Sequence, residues 1–456
     1  MKAVFFFPPA WSHSRPDIEI PALMPCLRDF DITVCDLNVQ YRIYQRGRDN
    51  LDECYARIKA VTSESIFEKY DMIYYFLITN KVRVEYILHE MEHFINIEEY
   101  ARASLYEREL QLFHKTAYEK DRDINVWNSI SEITNDIELL ENEDENYYLA
   151  FYKNYFAEHD LNGIDVVLIY PAGKQQLTAV FTLCRYIRKH NPAIKIIVGG
   201  QPFRDMADEI DQSWAPFFEK LFDYVMISAG EQAVCELLSC VMRRKNAASV
   251  DGCIYKQDEN VIKNTMNAEI LTKNVHLPDF GGFYLPSYNV PAITLPYCVA
   301  RVCAHIEKVI ADLWLYQEKY GAEYVYFVDK SLSFDVIAQL CHAILGEGLN
   351  IRWFLSSPIS GQYTAELLDL MKKAGAVLLP EFKTGFITDF YNTCIFEEEH
   401  MLFMISENPH FLDEAYLKRE YMEKVEDNDD FVLEKIIDET MYQYSLVTQE
   451  FNIITD

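Results

Sequence analysis

Between residues 164 and 243 short apolar, β-branched runs alternate with amphipathic helical stretches, and this rhythm constrains the fold more than any other feature. Residues 164–170 (IDVVLIY), 193–198 (AIKIIV) and 222–227 (FDYVMI) read as buried strands. Residues 175–189 and 232–243 read as helices that follow glycine-bearing turns. The N-terminus supplies the start of the same pattern. A strand is expected at residues 3–7, closed by Pro8 and Pro9, and a second at 32–35. A helix candidate lies between them at 18–29, its start complicated by Pro21 and Pro25. Strands of this kind are buried on both faces and need helices on each side, so the expected class is a doubly wound parallel α/β sheet.

From about 50 to 160 the strand pattern stops, and the chain is helical in character and rich in Glu, Tyr and Leu. The simplest organisation is one domain over residues 1–245 with this stretch as a helical insertion. A lone βαβ unit at the N-terminus would bury too little surface by itself. Residues 246–290 read as a hairpin near 251–265 followed by a Pro- and Gly-marked linker. From 291 to about 400 a shorter α/β series resumes, with too few units to close an eight-fold barrel. Residues 401–456 are acidic and are expected to form a helical tail.

Acidic residues outnumber basic ones 72 to 42, a formal charge of -30. That balance argues against a general nucleic-acid binder, which needs Lys and Arg clusters. No apolar run reaches spanning length, and the opening FFFPP is too short for a signal peptide. The 11 Cys follow no disulfide spacing, which fits a reducing cytoplasm.

Three glycine-bearing loops fall at the carboxyl ends of the expected strands: Pro171-Ala172-Gly173, Gly199-Gly200-Gln201-Pro202 and Ser228-Ala229-Gly230-Glu231. Missing side chains permit close backbone approach, and helix N-termini offer N–H groups to an anion. The competing account is ordinary turn glycines, and neither a GxGxxG nor a GxxxxGK[ST] pattern is present. Cys298, Cys303 and His305 lie within eight residues and could hold a metal with a fourth ligand, although the spacing matches neither a zinc knuckle nor a redox pair. Asp329 ends an aromatic strand and would either reach a ligand or cap the next helix. Glu381 and Lys383 could pair or reach a ligand. His89-Glu90-Met91-Glu92-His93 spells a zinc-protease string, but a solvated polar face explains it better.

Taken in order, these segments resemble the cobalamin-binding radical SAM proteins of peptide maturation. The resemblance covers about residues 1–385 and is carried by FFFPPAW, by residues 164–200, by FDYVMISAGEQAVCELL, by PDFGGFYLPSYNVPAITLPYC and by YGAEYVYFVDKSLS. It implies a cobalamin-binding-like domain followed by a truncated partial (β/α) barrel. It also implies that Gly199, Gly200, Gly230 and Glu231 would flank a nucleotide tail, with Tyr170, Pro171 and Ala172 towards the corrin. The family's CxxxCxxC signature is broken here. With Cys298 first, the second position is Val302 and the third is His305, and Cys303 is one place out of step. A cluster that binds SAM through an open iron needs three thiolates. The expectation is therefore a catalytically degenerate relative, without a 4Fe–4S cluster or SAM, that serves an active radical SAM enzyme or a precursor peptide as partner or scaffold. An active cobalamin-dependent enzyme with an atypical cluster site and a corrinoid carrier are the alternatives.

Overall fold

A computed structural model describes residues 2–94, 97–118, 137–228, 230–266, 276–302, 305–329, 332–357, 364–380, 423–427, 430–437, 440–445 and 451–454. The chain divides into two compact units. One comprises residues 1–12, 16–78 and 110–287, the other 13–15, 79–109 and 288–456. The architecture is α/β with a mixed sheet.

In the first unit the chain runs β1 (Lys2–Phe7), α1 (Glu19–Leu23), β2 (Asp31–Asp36), α2 (Leu37–Gln45) and α3 (Arg48–Val61). The helices α4 (Glu64–His89), α5 (Met91–Phe94), α6 (Ile97–Tyr118) and α7 (Tyr147–Glu158) follow, the middle of this series belonging to the second unit. Then come β3 (Val166–Ile169), α8 (Leu177–His190), β4 (Lys195–Val198), α9 (Gln201–Asp205), α10 (Ala215–Lys220), β5 (Tyr224–Met226) and α11 (Glu231–Met242). The helix expected at 18–29 is α1 continued by a 3-10 turn over Met24–Leu27, as two prolines in one short helix allow.

The sheet has seven strands in the order β2-β1-β3-β4-β5-β6-β7. Strands β1 to β5 are parallel; β6 (Cys253–Gln257) and β7 (Asn260–Lys263) add as an antiparallel hairpin against β5. The hairpin, expected within a connecting segment, is thus part of the first sheet: Cys253 and Ile254 are fully buried and pair with Met226 and Val225. Val166–Ile169 are also fully buried, as a central parallel strand requires. One face packs on α2, α7 and α8 through Tyr41, Phe151 and Phe181, the other on α1 and α11 through Leu23, Val234 and Leu237. Helix α8 buries Leu177, Val180, Phe181, Cys184 and Ile187 at helical spacing. Strand order reverses between β1 and β3, the place where open α/β sheets receive ligands.

The second unit holds a four-stranded parallel sheet in the order β11-β10-β9-β8. It is built as β8 (Thr294–Tyr297), α12 (Ile306–Tyr320), β9 (Tyr324–Phe327), α13 (Phe334–Glu347), β10 (Arg352–Ser357), α14 (Ala365–Lys373) and β11 (Ala376–Pro380). Neighbours in sequence are neighbours in the sheet, each parallel pair joined by a helix-bearing crossover. Ser333 caps α13 by accepting from Val336 N, and Thr364 caps α14 by accepting from Leu367 N.

Among the described residues of the C-terminal segment the expected helical tail is not found. Strands β12 (Glu423–Asp427), β13 (Asp430–Ile437), β14 (Thr440–Ser445) and β15 (Phe451–Ile454) form an antiparallel meander. The acidic composition pointed to helix. The runs FVLEKII and TMYQYS are instead rich in β-branched and aromatic residues, and short connections pair them locally.

Candidate functional site

The loop after β3 carries Tyr170, Pro171, Ala172 and Gly173. Tyr170 is buried, its ring edge-on to Phe5 at 5.1 Å between centroids. The ring lies directly against Gly199: a Cβ there would come within 2.5 Å of Tyr170 Cζ. Gly200 has φ +95°, and a Cβ there would meet the Pro171 carbonyl oxygen at 2.3 Å. Both glycines are therefore demanded by the chain's own packing. The Tyr170 hydroxyl is buried without a hydrogen-bond partner in the protein, and burial pushes its pKa up, with Glu19 adding to the effect and Arg204 opposing it.

Gln176, which the sequence reading did not single out, is fully buried at this place. Its Oε1 accepts from Ala172 N at 2.7 Å and Gly173 N at 3.1 Å, and its Nε2 donates to the Pro8 carbonyl at 2.6 Å. One carboxamide thus ties the loop after β1 to the loop after β3 and takes up the two N–H groups an incoming acceptor would use. Gly173 and Ala172 lie only three and four residues before Gln176, but Pro8 lies 168 residues away, and nothing local in the sequence signals that contact. In the third loop Gly230 N donates to Ser228 Oγ at 3.1 Å, and Ala229 lies outside the described residues. Glu231 opens α11, where a carboxylate suits the helix dipole, and its Oε2 accepts from the Cys26 thiol at 3.4 Å. Arg204 pairs with Glu19. The segment after β1 is thereby tied to α9 and to the first turn of α11.

Of the residues expected at the crevice, Tyr170 lies against Gly199 and Pro171 against Gly200, and Ala172 N donates to Gln176. Whether cobalamin fits is a matter of what already occupies that crevice. The Tyr170 ring fills the space facing Gly199, and Gln176 occupies the main-chain donors. As arranged, the Gly199 face and the Ala172 and Gly173 N–H groups are taken by the chain's own side chains.

In the second unit Cys298 follows β8 and lies beside Asp329, which follows β9. The Asp329 carboxylate is buried and accepts from Val299 N and Ala300 N, each at 2.8 Å, and from the Cys298 thiol at 3.5 Å. Asp329 neither reaches outward nor caps α13; it pins the loop after β8. Burial, then the Asp329 charge, push the Cys298 thiol up to about 11, so it is protonated at neutral pH. A thiolate ligand would have to form next to a carboxylate that already uses the thiol proton. His305 is the exposed N-cap of α12, and Cys303, Glu381 and Lys383 lie outside the described residues. No group of three or more His, Cys, Asp or Glu is placed to hold a metal among the described residues.

The zinc-protease string does not form a helical pair. Helix α4 ends at His89 and Glu90 is non-helical; His89 Nδ1 lies 2.7 Å from the Glu85 carbonyl, and His93 Nδ1 lies 2.6 Å from Glu99 Oε2. No helix among the described residues is long and apolar enough to cross a membrane.

No protein-family model matches the sequence, and no curated protein is significantly similar to it. Among solved structures, the chain is similar to the radical S-adenosylmethionine methyltransferase TsrM from Kitasatospora setae. The structure of TsrM with cobalamin and [4Fe-4S] cluster bound gives a TM-score of 0.46 at 11% identity over 83% of this chain and 61% of that one. The structure with tryptophan substrate and the SAM analogue aza-SAM gives 0.44 at 12% identity over 89% and 65%. The chain spans less than two thirds of TsrM's length.

Proposed function

We propose that this chain is a radical-SAM-like protein that has lost cluster chemistry and acts as a partner or scaffold in modifying a ribosomally made peptide or another natural product. The observation that carries this reading is the Asp329–Cys298 arrangement. Among the described residues of the loop after β8, Cys298 is a protonated thiol bonded to the Asp329 carboxylate, which also holds that loop by two N–H groups. Site-differentiated cluster chemistry needs three thiolates and an open iron. The broken CxxxCxxC spelling points the same way. An active radical SAM enzyme or a precursor peptide is the proposed partner, and the cytoplasm the proposed location.

The test is anaerobic reconstitution with iron and sulfide, followed by desalting, iron analysis and incubation with SAM and dithionite. No retained iron and no 5′-deoxyadenosine are expected. A full cluster's iron with SAM cleavage would replace this reading with an active cobalamin-dependent radical SAM enzyme bearing an atypical cluster site.

A second reading, a corrinoid-binding protein, draws on the strand-order reversal between β1 and β3 with Gly199 and Gly200 beside it. It requires Tyr170 and Gln176 to leave the crevice.

A further inference from the structure

A parallel sheet of this order offers its ligand crevice outside the carboxyl ends of β1 and β3. In this chain two side chains of the first unit lie at that place. Gln176 is fully buried, and both ends of its carboxamide bind main-chain groups of the two flanking loops, Pro8 on one side and Ala172 and Gly173 on the other. Tyr170 lies flush on Gly199, closer than any side chain at that position would permit. The Glu19–Arg204 ion pair and the Cys26–Glu231 hydrogen bond hold the segment after β1 against α9 and the start of α11.

We propose that Tyr170 and Gln176 are a built-in plug of the switch-point crevice. The phenol ring takes the volume a planar ligand ring would use, and the carboxamide takes the polar contacts its phosphate or amide groups would make. The same packing accounts for the glycines themselves: Gly199 and Gly200 are needed to seat Tyr170 and Pro171. The Tyr170 hydroxyl has no share in the plug. It is buried without a partner in the protein, which costs free energy. If the crevice served a ligand, that hydroxyl would be the contact point; if the crevice is plugged, the hydroxyl is dispensable. The inference does not rest on the loss of cluster chemistry proposed above, and its own three measurements need neither iron nor SAM.

The experiment uses the full chain and three measurements. Hydroxocobalamin is added in excess and the desalted protein is examined for corrinoid bands; wild type should retain none. Tyr170→Phe keeps the ring and removes the orphaned oxygen, so its melting temperature should rise by a few degrees. Tyr170→Ala empties the ring's volume, so it should melt lower than wild type and regain stability with millimolar benzimidazole, which should leave wild type unmoved. Stoichiometric corrinoid on wild type, or a lower melting temperature for Tyr170→Phe, would overturn the plug. So would a folded Tyr170→Ala protein indifferent to benzimidazole. Should Tyr170→Ala not fold, the first two measurements still decide. Corrinoid retained without iron overturns the plug alone and leaves the loss of cluster chemistry standing.

Discussion

His114 illustrates what burial does to one residue. Its ring lies 3.2 Å from the Gln45 carbonyl, 2.9 Å from the Asn50 carboxamide and 3.7 Å from the Cys54 sulfur. Burial lowers its pKa from 6.5 to about 4, so the native state holds it neutral. A depressed histidine contributes stability in full above the unfolded pKa, and that contribution is lost as pH falls from 6.5 towards 4. Across this window wild type should lose about 3 kcal/mol more than His114→Gln, read as urea midpoints against pH. At Asp329 the effect is electrostatic. Asp329→Asn removes the charge that helps raise the Cys298 pKa, so Cys298 should be alkylated by iodoacetamide several-fold faster at pH 8, measured by peptide mass spectrometry. Asp329→Ala also removes both loop bonds and should cost about 3 kcal/mol.

At the scale of elements, the loops after the strands decide what the sheet can do. The turn after β4 works only with glycine. Gly200→Ala would strain a φ of +95° and drive Cβ into the Pro171 carbonyl. It should destabilise the first unit by about 2 kcal/mol or more, seen in thermal melts. The same residue at Gly321, also at positive φ, meets nothing within 4 Å and should cost less. Helix starts are more local affairs. Ser333→Ala removes the cap bond to Val336 N and should cost about 1 kcal/mol, without altering the first unit.

For the whole molecule, the formal charge of -30 predicts self-repulsion that salt relieves. The melting temperature should climb between low salt and 0.5 M NaCl; a fall would mean that ion pairs such as Arg188–Asp223 outweigh the net charge. The sequence by itself determined the strand-and-helix rhythm, because hydrophobic periodicity and turn glycines are written locally. It placed β1 to β5 and their glycine loops, and β9, β10 and β11 with the helices α12, α13 and α14 of the second unit, within a few residues, while β8 fell in what reads as linker. It misplaced the C-terminal strands, because acidic composition outweighed β-branched runs whose pairing depends on partners. It could not see that the hairpin at 253–263 joins the first sheet, nor that Asp329 turns back onto the loop after β8. It gave no hint that Gln176 reaches Pro8, a contact made only because β1 pairs with β3. Composition and periodicity are sums over neighbours in the chain. Whether a crevice is open or filled depends on which distant side chains share it, and that was decided by the tertiary structure.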